Sequence, residues 1–117
     1  MPSLNMKGPY SLDAKTVDAN IFKESIGNYA LGTIDQEGQF VVKYVGRSDA
    51  DLRERIKDHL DDYPCFKFSY ADDAVQAYQK ECINYHDFSG DHNRLDNVIH
   101  PDKPEGRSDL KCPRCRT

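Results

Sequence analysis

The chain has 117 residues, enough for one domain with a single modest core. Twenty acidic residues against 16 basic ones give a formal net charge of −4, which excludes a broadly basic, duplex-coating protein and leaves room for a local positive patch. No apolar run approaches the roughly 20 residues that a membrane-spanning helix needs, and no signal peptide is visible, so a cytoplasmic protein is expected.

In chain order, residues 1–24 read as an N-terminal arm, residues 25–100 as the core and residues 101–117 as a C-terminal segment, all within one domain. Within the arm, the run from Lys15 to Phe22 is expected to form an extra strand or a short packed arm. Tyr29 to Ile34 and Gln39 to Val45 are strand-like and flank the turn-like Asp35-Gln36-Glu37-Gly38, which predicts a hairpin with a four-residue loop. Pairing Ile34 with Gln39 puts Tyr29 opposite Tyr44, with Cβ atoms about 5 Å apart. Leu31, Thr33, Val42 and Phe40 then share that face. Two tyrosines so placed form either a cross-strand packing pair or a pair of cleft hydroxyls.

Ser48 opens a capping-box-like Ser-Asp-Ala-Asp, predicting a helix to about Asp62 with Leu52, Ile56 and Leu60 as its buried stripe. Arg55 and His59 lie four residues apart on one flank of that stripe, and Arg53 and Lys57 lie on the other. A guanidinium suits a phosphate because it keeps its charge and donates two parallel hydrogen bonds. The plain alternative is a solvated, ion-paired helix face. Cys65 to Tyr70 alternates as a third strand, and a second helix is expected from Asp72 or Asp73 to about His86. Glu81 shares one side of it with Ala74, Tyr78 and Tyr85. A half-buried carboxylate there suits magnesium, which takes one or two protein carboxylates and keeps several waters, although a helix glutamate is more often simply solvated.

The remainder, including Asp87-Phe88-Ser89-Gly90-Asp91-His92, is polar and cannot bury much on its own. Cys82 and His86, spaced i, i+4 on one helix face, join Cys112-Pro113-Arg114-Cys115 as a candidate structural zinc site, Zn2+ favouring four such thiolate and imidazole donors. His100 competes with His86 as the nitrogen ligand. Free structural cysteines, a redox pair or disulfides are the other readings. A metal here would pin the tail to the second helix. The expected architecture is therefore α+β: a small three-stranded antiparallel sheet flanked by helices, with an irregular C-terminal segment pinned by zinc.

Gly27-Asn28-Tyr29, Tyr44-Val45-Gly46, Arg55, His59, Glu81 and Asn97, in this order and approximate spacing, resemble the motifs of the GIY-YIG nuclease family, over about Gly27 to Asn97. Asn28 stands where that family has isoleucine, and the stretch from Tyr44 to Arg55 is one residue longer than usual, which keeps Arg53 as a second candidate for the arginine. The resemblance implies a metal-dependent endonuclease acting on nucleic acid, DNA first, with Mg2+ or Mn2+ held by Glu81. Tyr29 would orient or deprotonate the attacking water, helped by the nearby positive charge of Arg55 or the metal, and Tyr44 would assist. Arg55 would offset charge on the phosphoryl oxygens. His59 would relay a proton or serve structurally, and Asn97 would orient Glu81, bind phosphate or form a turn. Lys43, Arg47, Arg53, Arg55 and Lys57 cluster around the second motif as a local basic patch. The acidic balance favours weak or structure-selective binding, or a protein partner that supplies nucleic-acid affinity, and it keeps open a catalytically silent, zinc-stapled interaction module.

Overall fold

The computed structural model describes residues 4–90, 94–97 and 100–116. Its elements are β1 (Lys7–Ser11), α1 (Ala14–Asn20), β2 (Gly27–Ile34), β3 (Phe40–Ser48), α2 (Leu52–Lys57), β4 (Cys65–Tyr70) and α3 (Ala74–Asp87). The four strands form one antiparallel sheet in the order β1-β4-β2-β3. The class is α+β as expected, but the sheet has four strands where three were predicted. The added strand lies in the arm, and its Gly8-Pro9 reads as a breaker in sequence. At the sheet margin that proline is tolerated, because an outer strand does not need every N–H for pairing. The register of β1 against β4 accordingly shifts between Lys7 and Tyr10.

Lys15 to Phe22 is not a strand. Asp13 caps α1 by accepting a hydrogen bond from the Thr16 N–H at 2.8 Å, and Val17 and Ile21, four residues apart, are fully buried. They pack with Leu12, Tyr29, Leu31, Leu52, Ile56, Phe66 and Phe68 on one face of the sheet, so the arm is part of the core. Ala30, Val45, Tyr85 and Leu95 form a second cluster on the other face, where α3 lies.

The hairpin differs from the predicted register in two places. Ile34 pairs with Phe40, because the Asp35 carboxylate accepts from the N–H groups of both Glu37 and Gln39 at 2.9 Å and so draws Gln39 into the loop. A bulge between Leu31 and Gly32 then leaves Lys43 unmatched, putting Leu31 opposite Tyr44 and Tyr29 opposite Gly46. The tyrosines are thus diagonal neighbours on one face, not directly opposed. The bulge also flips Phe40 and Val42 to the other face, where they pack against the Ala30 and Val45 cluster.

Helix α2 is shorter than the predicted Ser48 to Asp62. Ser48 is the buried last residue of β3, Asp51 supplies the cap, and after Lys57 the chain continues in i→i+3 turns through His59, Leu60 and Asp62. Asp58, Asp61 and Asp62 cluster at its C-terminal end, where negative charge opposes the helix dipole, and Pro64 bars further helix. Strand β4 spans the predicted residues. Helix α3 starts as expected, with Asp73 accepting from the Gln76 N–H at 2.8 Å. No helix among the described residues is long and apolar enough to cross a membrane. Asp91 and His92 of the polar run lie outside the described residues.

Candidate active site and candidate metal centre

Strand β3 is the last in the sheet, and a cleft of about 570 Å³ opens beside it. The cleft is lined by Tyr29, Tyr44, Arg55, His59, Glu81 and Asn97, so all six residues singled out in the sequence border one cavity. Arg53, the second candidate for the arginine, is not among its lining residues.

The tyrosine rings stack with centroids 6.4 Å apart and planes 18° from parallel. Gly46 permits this: a Cβ there would lie 2.4 Å from the Tyr29 ring and hydroxyl, so the ring lies directly across the second motif. The Tyr29 hydroxyl lies 3.2 Å from His59 Nε2, within hydrogen-bond reach, while Nδ1 of the same imidazole is 3.0 Å from Asp62 Oδ2. A carboxylate at Nδ1 favours the tautomer that leaves Nε2 free to accept. Burial pushes the Tyr29 hydroxyl well above the usual tyrosine range. The neighbouring Tyr44 adds to this, and Arg55 pulls down only in part. Burial raises Tyr44 too. Positive charge from Arg55 alone therefore does not make Tyr29 a base; its proton has an acceptor in His59 instead. Asp62 completes this chain, and its only trace in the sequence is its place three residues after His59.

Glu81 projects from α3 and is 8% exposed. Its Oε1 accepts from Arg47 Nη1 at 2.6 Å, and Arg47 also contacts Asp49 through Nε and Nη2 at 2.9 and 3.3 Å. Burial pushes the Glu81 carboxyl up to about 7 and outweighs the lowering by Arg47, whose single charge is shared with Asp49. Arg47 is the cleft cation that motif reasoning passed over, although it directly follows Tyr44-Val45-Gly46. The expected basic patch is partly neutralised: Arg47 is held by two carboxylates, and Lys57 pairs with Asp18 at 2.6 Å.

Asn28 faces away from the tyrosines. It is fully buried, and its Nδ2 donates to the Ala77 carbonyl at 2.9 Å, tying β2 to α3. Position 28 thus lies on the helix-packing face, and Asn28 is not among the residues that line the cleft. The Asn97 side chain pairs with the backbone of Val45, its Oδ1 accepting at 3.0 Å and its Nδ2 donating at 2.8 Å. Asp96 N–H donates to the Lys43 carbonyl beside it. Asn97 therefore acts as a backbone partner for β3, and Glu81 is held by Arg47 instead.

His86, His100, Cys112 and Cys115 bring one donor atom each to within 4.8 Å of one another, an arrangement that could hold a metal ion. The expected set is corrected at one position, where His100 takes the place of Cys82. The Cys82 thiol is fully buried against Tyr78 and Cys112, and burial pushes it up to about 12. The i, i+4 spacing set Cys82 and His86 on one helix face, but His100 reaches the cluster from a distant stretch of chain that spacing does not describe. His100 Nδ1 lies 3.0 Å from the Pro101 carbonyl, and its Nε2 lies 3.5 Å from Cys115 Sγ. A backbone carbonyl on one imidazole nitrogen is the usual orienting contact of a metal-bound histidine, and tetrahedral zinc sets its donors roughly 3.5 Å apart.

The chain matches no protein-family model, no curated protein and no solved structure.

Proposed function

We propose that the protein is a metal-dependent endonuclease hydrolysing nucleic-acid phosphodiesters, DNA first, at the β3 cleft. The observation that carries this reading is the convergence of Tyr29, Tyr44, Arg55, His59 and Glu81 on one cavity. Arg55, exposed at its rim, binds the phosphoryl oxygens of the substrate and offsets their developing charge. Tyr29 orients the attacking water with its hydroxyl, and His59 Nε2 accepts the proton that Tyr29 passes on. Asp62 steadies the resulting imidazolium through Nδ1. Tyr44 shields one side of His59, their rings 5.2 Å apart, and adds a second hydroxyl.

Glu81 fits a magnesium or manganese ligand: a single hard-oxygen donor borders a water-accessible cleft, and a guanidinium already stands against its Oε1 as a substitute cation. Such an ion, when bound, supplies Lewis-acid polarisation of the phosphodiester. His86, His100, Cys112 and Cys115 would hold Zn2+ as a structural metal, since four protein donors complete a closed site. The net charge of −4 favours weak or structure-selective binding, or a protein partner that brings the nucleic acid.

The test is supercoiled plasmid at low salt with magnesium or manganese, comparing the parent with Glu81→Gln. Metal-dependent nicking by the parent alone supports the reading; equal nicking, or none on plasmid, branched DNA and RNA alike, refutes it. The Arg47 bond to Glu81 favours a second reading, a catalytically silent module in which that ion pair is purely structural.

A further inference from the structure

Arg47 is held on three sides. Nη1 meets Glu81 Oε1 at 2.6 Å, Nε and Nη2 meet Asp49, and the guanidinium carbon lies 5.4 Å from the centre of the Tyr78 ring. Both members of the Glu81 pair are nearly sealed, their side chains 10% and 11% exposed. A charge so fixed persists at any pH at which the protein folds, because a guanidinium does not deprotonate. The carboxylate offered to a divalent cation therefore already carries a cation, and two like charges on one oxygen repel.

We propose that Arg47 is the resident counter-cation of the Glu81 site and competes with the divalent ion for that carboxylate, so that Arg47 sets how much metal the cleft takes up. The inference rests on Glu81 being the metal ligand. In the free protein the site is self-occupied. Metal loading then requires Nη1 to leave Glu81 while Nε and Nη2 keep their hold on Asp49, a movement of one end of the guanidinium.

The experiment is Mn2+ binding to the zinc-loaded full chain at a pH above 7, where the Glu81 carboxyl is ionised, followed by the electron paramagnetic resonance signal of free Mn2+, with no nucleic acid present. Arg47→Gln removes the charge and is expected to bind Mn2+ about tenfold more tightly than the parent or better. Arg47→Lys keeps the charge and is expected to stay within about threefold of the parent. Glu81→Gln, and the Arg47→Gln, Glu81→Gln pair, define the binding lost with the carboxylate. Equal or weaker binding in Arg47→Gln, with binding still lost in Glu81→Gln, overturns the inference and leaves Glu81 as the ligand. Absence of Glu81-dependent binding in the parent and in Arg47→Gln overturns both. Should Arg47→Gln fail to fold, tightening in Arg47→Lys to the tenfold level overturns the inference, and parent-like binding supports it.

Discussion

Replacing Glu81 by Gln removes a group that the fold keeps protonated longer than the unfolded chain does. An ordinary glutamate ionises near 4.5, whereas burial holds Glu81 until about 7. Between these values the unfolded state has released a proton that the folded state retains, so stability is fully present below 4.5 and falls as pH rises through 7. At about 1.4 kcal/mol for each pH unit between them, the total loss is about 3 kcal/mol, of which about 2–3 kcal/mol falls between pH 5 and 8. The glutamine variant keeps a hydrogen-bonding partner for Arg47 and has no proton to lose. Urea denaturation of the parent and Glu81→Gln across pH 5 to 8, with zinc retained and magnesium withheld, should show the parent losing about 2–3 kcal/mol relative to the variant. A gap that does not change with pH refutes the reasoning. A parent that gains on the variant above pH 5 would show Arg47 outweighing burial and holding the carboxyl below its usual range.

Gly46→Ala places a methyl group 2.4 Å from the Tyr29 ring, so thermal or urea melts should show a loss of about 1–3 kcal/mol, and the Tyr29 to His59 contact should be displaced in a crystal structure of the variant. Zinc content per chain and the absorption of the cobalt-substituted protein should survive Cys82→Ser and weaken in His100→Ala, whose metal affinity should fall at least about tenfold; the reverse order would restore Cys82 to the ligand set. Asn97→Ala deletes both side-chain bonds to Val45, which should cost about 1–3 kcal/mol and speed hydrogen exchange at the Val45 amide.

Local chemistry made several elements legible. Asp73 followed by an apolar stripe defined α3, the alternation of Cys65 to Tyr70 defined β4, and the six residues singled out by motif order all border one cleft. What escaped depended on one side chain redirecting the backbone. The Asp35 carboxylate lengthened the loop, and a bulge at Lys43 moved Phe40 and Val42 to the opposite face; neither event leaves a period-two or period-3.6 signature. Strand β1 was hidden because Gly8-Pro9 is unfavourable in any strand but one at the margin of a sheet. The role of Arg47 was hidden because it depends on how α3 packs against β3, and His100, read as a rival to His86, proved to stand beside it because the C-terminal tail folds back onto α3. Val17 and Ile21 carried a helical spacing outweighed by the β-forming character of the residues around them.

The short stretch containing Asp96 and Asn97 has a consequence for how copies of this protein meet. An open strand end-on to solvent is a template for another molecule's backbone, and the sheet has two such margins. One carries Pro9, which offers no N–H. At the other, the Lys43 carbonyl already accepts from the Asp96 N–H, and Val45 both donates to and accepts from the Asn97 side chain. Both margins are therefore blunted against self-association, and the second only while the C-terminal third stays docked. If His86, His100, Cys112 and Cys115 bind zinc as proposed, its removal loosens that third, so the apoprotein should aggregate through β3 at concentrations where the zinc-loaded protein remains monodisperse.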